Sequence, residues 1–150
     1  MVLLKGLSDR GFVFYTNFNS RKGSELKDNQ KASMCFHWKS LRRQVRVIGK
    51  VEEVSAKEAD DYFNSRPYKN RIGAWASSQS EKLDQRETFL NRIKDFEKKY
   101  PDQQNVPRPP HWSGWRLLPE EIEFWLDGDG RIHERLNYKK NNNQWDRELL

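Results

Sequence analysis

Near the C-terminus, Ile122-Glu123-Phe124-Trp125-Leu126 is followed by Asp127-Gly128-Asp129-Gly130 and then by Arg131-Ile132-His133-Glu134-Arg135. Asp-Gly pairs favour tight turns, and the flanking runs are rich in branched and aromatic residues, so the segment predicts a β-hairpin. Side chains alternate along a strand. Arg131, His133 and Arg135 are therefore expected on one face of the second strand, with Ile132 and Leu136 on the other. Two guanidiniums around an imidazole suit an anion, with a proton donor or acceptor between them. The plainer alternative is an edge hairpin with a solvated basic face. A four-residue loop would pair Leu126 with Arg131 and set Trp125 on the face opposite the Arg-His-Arg row. Otherwise a bulge intervenes, because a one-residue slip flips every side chain.

The remaining elements follow from the same signals. Met1 to Lys5 reads as a strand, Ser8-Asp9-Arg10-Gly11 as a turn and Gly11 to Asn17 as a second strand. Ser20 caps a helix through Asp28, Lys31 to Trp38 is a strand, and Gln44 to Val54 is a long strand with a possible bulge at Gly49. Ser55-Ala56-Lys57-Glu58 is a capping box opening a helix to about Ser65, which Pro67 stops. Phe89, Leu90, Ile93 and Phe96 lie at helical spacing within Arg86 to Tyr100. Gly114 to Leu118 and Trp145 to Leu150 are further strands, and Asn141-Asn142-Asn143 reads as a turn. Hairpin connections dominate, so the expected fold is mainly β with peripheral helices, an antiparallel barrel in one domain over residues 1–150.

The 150 residues are 35% hydrophobic and 33% charged, with a mean hydropathy of −1.09. Six Trp, eight Phe and five Tyr offset this lean supply with large buried areas. Such a balance hints at burial completed by a partner subunit or a bound ring system. The net charge of +6 suits phosphate-bearing ligands, nucleic acid or an anionic surface. The charges are interspersed rather than blocked, which argues against a nucleic-acid tail, although dispersed cations and aromatics keep a basic nucleic-acid-binding barrel as a minor alternative. Cys35 excludes an internal disulfide and is expected in the core. No apolar run is long enough to span a membrane and no leader is visible, so a cytoplasmic setting is expected. His37, His111 and His133 lack metal-ligand spacing, so no metal site is expected.

Several polar groups suit a phosphate ligand. Tyr15-Thr16-Asn17 ends a strand, and Ser20-Arg21-Lys22 opens a helix. Hydroxyls, helix-start amides and two cations form either a phosphate seat or an ordinary capped helix. Tyr62 and Arg66 share a helix face at i, i+4, with Asn70 four residues on. Lys5 interrupts an apolar strand, as an edge gatekeeper or a ligand contact. In Arg43-Gln44-Val45, the Gln44 amide offers both donor and acceptor.

These motifs, in this order, resemble the pyridoxine/pyridoxamine 5′-phosphate oxidases, a family of FMN enzymes. The likeness runs from Leu3 to about Trp145 and includes Leu-Leu-Lys, Tyr-Thr-Asn, Ser-Arg-Lys, Arg-Gln-Val, Ile72-Gly73-Ala74-Trp75-Ala76-Ser77-Ser78-Gln79-Ser80 and the hairpin. It implies a split-barrel FMN-binding fold and a homodimer with FMN sites between subunits. It implies FMN contacts at Met1, Val2, Leu3, Leu4, Lys5, Tyr15, Thr16, Arg21, Lys22, Gln44, Gln79, Ser80, Trp125 and Arg135. It implies substrate contacts at Lys5, Tyr62, Arg66, Asn70, Arg131, Ile132 and His133, with Arg131 and His133 catalytic. The implied reaction is oxidation of pyridoxine or pyridoxamine 5′-phosphate to pyridoxal 5′-phosphate with O2 as acceptor. A different-substrate or non-catalytic flavin-binding barrel is the alternative. The chain departs from the family at Leu126, at Asn70 in place of Ser, and at Ser113 in place of Gly. The family's segment ahead of Leu-Leu-Lys, with an Arg on the FMN phosphate, has no counterpart here, which implies a trimmed chain or a less enclosed site.

Overall fold

Strand β5, Trp112–Leu126, is the spine on which the other strands assemble. The computed structural model describes residues 1–142 and 144–150; Asn143, part of the turn expected at Asn141-Asn142-Asn143, lies outside them. The first half of β5 pairs with β2 (Gly11–Asn17), which in turn pairs with β1 (Gly6–Ser8). The second half pairs with β6 (Glu134–Asn141), and β6 pairs with β7 (Gln144–Leu149). The other edge of β5 runs along β4 (Arg43–Glu53), and β3 (Lys31–Trp38) completes the order. Every pairing is antiparallel. Two short sheets sharing one long strand cannot stay flat given strand twist, and the sheet curls into a half-barrel.

The bend has an identifiable device. Register slips between Ile48 and Gly49, so that Ile48 faces Glu121 and Gly49 faces Pro119, leaving Glu120 as the extra residue. Proline removes a ladder donor and is tolerated at such a bulge. A Cβ on Gly49 would collide with the Leu118 carbonyl, so the close approach of β4 to β5 requires glycine. Phe14, Phe18, Leu26, Val47, Val51, Trp115 and Leu117 fill the concave side.

Among the described residues, four α-helices lie around the sheet: α1 (Arg21–Asp28), α2 (Ala56–Ser65), α3 (Tyr68–Ala76) and α4 (Arg86–Lys99). Ser20 caps α1 by accepting from Gly23 N–H, and Ser55 with Glu58 forms the complete capping box of α2. Phe63, Ile72, Ala74, Val106 and Trp112 make a second core between helices and sheet.

The structure departs from the sequence reading at five points. Met1 to Lys5 are not in a strand; β1 begins at Gly6, although the Lys5 N–H already donates to Val13 O at 2.8 Å. Tyr68–Ala76, for which the sequence reading gave no helix, is a helix: Ile72 and Ala74 pack into the second core and Ala76 is buried. Strand β5 does not stop at Leu118, since the bulge carries it through Pro119. Arg131 and His133 are not on a strand. Leu126 pairs with Glu134, so residues 127–133 form a loop, with Arg131 in a left-handed conformation at φ 65°. Finally, Cys35 is exposed: Met34 and Phe36 point inward, and alternation turns Cys35 out, opposite Arg46.

Candidate active site

The expected site residues gather in two clefts. The first, about 610 Å³, lies where β2, the start of β5 and helices α2 and α3 converge. Met1, Val2, Leu3, Lys5, Tyr15, Thr16, Tyr62, Arg66, Asn70 and Gln79 line it, together with Lys69. Its floor is aromatic: Tyr15 stacks on Tyr62 at 4.1 Å and on Trp112 at 5.2 Å between ring centres. Lys5, Arg66 and Lys69 are the charged lining residues, with no carboxylate among them. Arg66 lies over the Trp112 ring at 4.8 Å, and its Nη1 is buried without a hydrogen-bond partner. Burial pushes its pKa down, and neighbouring Arg71 adds to this. An unpaired guanidinium nitrogen in a cationic cleft is what an incoming phosphate would satisfy.

Beside this cleft, Thr16 joins two other expected FMN contacts. Lys22 Nζ donates to Thr16 Oγ1 at 2.6 Å, and Thr16 Oγ1 lies 3.4 Å from Gln79 Oε1. Burial alone pushes the Lys22 ammonium down. A partly desolvated lysine beside a hydroxyl fits an FMN phosphate. Arg21 is placed otherwise: it is exposed and bound to Glu25 at 2.8 Å.

The second cleft, about 900 Å³, lies at the far end of β5, between the start of β4 and the end of β7. Gln44, Trp125, His133 and Arg135 line it with Trp38, Arg43 and Arg147. The long loop settles the hairpin register: Trp125 pairs directly with Arg135, and the rings of Trp125 and His133 are 4.7 Å apart. Trp125 therefore shares its side with two members of the expected row. His133 Nδ1 is 3.2 Å from Gly128 N and 3.1 Å from Asp127 Oδ1. The amide matches an unprotonated Nδ1 and the carboxylate a protonated one. Leu4, Arg21, Lys22, Ser80, Arg131 and Ile132 line neither cleft.

Sequence reading missed the groups that brace these side chains. Arg42 binds Asp127 at 2.9 Å and Asp129 at 3.3 Å, which ties down the loop carrying Arg131 and His133. Glu123, buried on β5, holds both Arg46 and Arg135. A carboxylate inside an apolar strand was the available signal. Hydrogen bonding from Arg135, with the charge of Arg46, holds the Glu123 carboxyl below its ordinary value. Because the folded value is depressed, the stability it contributes is complete above the unfolded pKa of about 4.3 and is lost as pH falls toward the folded value. The melting temperature should therefore fall more steeply between about pH 5 and about pH 3 in the natural chain than in Glu123→Gln. Parallel melting curves for the two proteins would refute this.

Fold and site together define an FMN-binding split-barrel oxidoreductase. A family model described as pyridoxamine 5′-phosphate oxidase matches residues 1–125, and one described as pyridoxine 5′-phosphate oxidase C-terminal dimerisation region matches residues 112–150. The chain is 60% identical to the pyridoxine/pyridoxamine 5′-phosphate oxidase of Pelagibacter ubique, across 100% of this chain and 73% of that protein. It is 55% identical to that of Gluconobacter oxydans, across 97% of this chain and 72% of the relative. Among solved structures, PhzG from Burkholderia lata in complex with tetrahydrophenazine-1-carboxylic acid superposes with a TM-score of 0.91 at 31% identity, covering 99% of this chain and 72% of that one. An FMN binding protein from Nostoc punctiforme, related to pyridoxamine 5′-phosphate oxidase, shares the fold at a TM-score of 0.75 and 17% identity, covering 99% and 78%. The chain belongs to the pyridoxamine 5′-phosphate oxidase family.

Proposed function

We propose that this chain, as a homodimer, oxidises pyridoxine 5′-phosphate or pyridoxamine 5′-phosphate to pyridoxal 5′-phosphate with O2 as the final acceptor. The observation that carries the dimer is the placement of the two clefts. Trp112 lines the first and Trp125 the second, so thirteen residues of β5 separate them. At about 3.3 Å per residue that is about 40 Å of strand. One flavin cannot reach both ends of that strand within one chain. A two-fold axis that sets the first cleft of one protomer against the second cleft of its partner brings the two contact sets together. The match of residues 112–150 to a dimerisation region supports this arrangement.

Within the composite site, Lys22, Thr16 and Gln79 would hold the FMN phosphate side, and Gln44, Trp125 and Arg135 the ring. Arg66, Lys5, Tyr62 and Asn70 would hold the substrate phosphate. FMN, when bound, supplies the two-electron acceptor that takes a hydride from the substrate's C4′ carbon and delivers the electrons to O2. The alcohol then yields aldehyde and peroxide; the amine, with one water, yields aldehyde, ammonia and peroxide. Arg131 would cover the pyridine ring, with His133 placed to exchange the proton of the reacting substituent. The chain's part is orientation and exclusion of water; the redox chemistry is the cofactor's. Much of the positive charge is already spent on internal ion pairs, including Arg10, Arg42, Arg46, Arg108 and Arg116, which speaks against a nucleic-acid role.

The test is to load the chain with FMN, supply pyridoxine 5′-phosphate, and follow pyridoxal phosphate and peroxide. Equimolar formation of both is expected. A folded, yellow protein without turnover would overturn the catalytic reading.

A further inference from the structure

Glu123 lies mid-strand with its side chain only 6% exposed, and it accepts from two guanidiniums. Arg46, opposite it on β4, donates Nη2 to Oε2 at 2.6 Å. Arg135, from β6, uses two nitrogens: Nη2 to Oε2 at 3.0 Å and Nε to Oε1 at 3.3 Å. That edge-on, two-point grip fixes the plane of the Arg135 guanidinium and leaves Nη1 outside the pair. Of the two arginines, only Arg135 lines the second cleft, where Gln44, Trp125 and His133 lie. Arg46 is half-exposed and stands outside it.

We propose that Glu123 is a positioning residue for the cofactor: its carboxylate clamps Arg135 so that the remaining edge of the guanidinium faces the flavin cleft beside Trp125. The inference rests on the reading of Arg135 as a flavin contact. Arg46 is the counter-cation in this arrangement. Two cations on one carboxylate leave a net positive charge, and Arg46 keeps Glu123 ionised and centred between β4 and β6. An arginine already held in its binding orientation loses less conformational freedom when a ligand arrives.

The test is a double-mutant cycle on FMN binding, read by quenching of flavin fluorescence and by the absorption envelope of the bound flavin. Arg135→Ala should weaken FMN binding about tenfold, the equivalent of one charge-assisted hydrogen bond. Glu123→Ala should weaken it to a similar degree and shift the flavin spectrum in the same sense. The double variant should be no weaker than Arg135→Ala alone, because both remove one interaction. Arg46→Ala should lower the melting temperature and weaken FMN binding less than Glu123→Ala does, because Arg135 still grips the carboxylate at two points. Additive losses in the double variant, or a Glu123→Ala protein that is destabilised yet binds FMN normally, would overturn the proposal. Should Glu123→Ala not fold, Glu123→Gln keeps the shape while losing the charge and one acceptor, and the same cycle applies. Normal FMN binding by Arg135→Ala would instead show that Arg135 is no flavin contact, and the proposal would fall with that reading.

Discussion

Replacing Arg66 with Ala should cut kcat/KM for pyridoxine 5′-phosphate by about a hundredfold while leaving FMN retention unchanged. The magnitude follows from the contact: a guanidinium facing a phosphate offers charge-assisted hydrogen bonds worth about 1.5–3 kcal/mol each, and about 2.7 kcal/mol is a hundredfold. The Nη1 atom is buried and unpartnered, so its desolvation is already met before substrate arrives. The residue also packs over Trp112 and Phe63, so its removal carries a packing cost besides the lost phosphate contact. Two controls separate these roles. Arg66→Lys keeps the charge without the planar fork and should recover part of the rate. Pyridoxine without its phosphate should be a poor substrate of the natural chain and little worse with Arg66→Ala. An equal loss on both substrates would make Arg66 a packing residue and remove the phosphate seat from the first cleft.

The strands with clean alternation were legible because their signals are local. Gly11–Asn17 and Lys31–Trp38 appear with the expected bounds, and the Ser20 and Ser55 caps start their helices where expected. Helix α3 was not legible. Its buried face is made of Ile72, Ala74 and Ala76 around Gly73, small residues without an amphipathic stripe, and only packing against Phe63, Val106 and Trp112 reveals it. The loop at residues 127–133 failed for a different reason. Asp-Gly-Asp-Gly reads as a two-strand turn, yet Arg42, far away in sequence, binds Asp127 and Asp129 and stabilises a longer excursion. Cys35 was misplaced because the identity of a strand's residues does not say which face is buried; Met34 and Phe36 took the inner side.

The site was legible as a set of residue types and illegible as an arrangement. Ten expected contacts line the first cleft and four the second, so order along the chain gave no hint that they part company. The reason is β5, which was read as two short strands and is one long one. A continuous strand places its ends in separate places, and the division of the expected contacts between two clefts follows from that single length. Arg21 and Lys22 illustrate the same limit at one turn of helix. The sequence treats them alike, whereas α1 directs Lys22 toward Thr16 and Arg21 toward Glu25.

That difference sets the second large effect, which concerns assembly. If one FMN bridges two protomers, it binds the dimer better than the separated chains, and it stabilises the dimer by mass action. A dimeric mass in solution is expected, with a melting temperature that rises with FMN concentration. At a hundredfold excess over Kd the gain is about 2.7 kcal/mol. Lys22→Ala removes one charge-assisted phosphate contact, about 1.5–3 kcal/mol, so most of the FMN-dependent rise should vanish. The Lys22 ammonium is also partly desolvated, which offsets the loss of its bond to Thr16, so the melting temperature without FMN should change little. Arg21→Ala should reduce the rise less, since that side chain is engaged with Glu25 and turned to solvent. A stable monomer indifferent to FMN would defeat the composite site. A dimer in which Arg21→Ala matters more than Lys22→Ala would keep the assembly and relocate the phosphate to the outer side of α1.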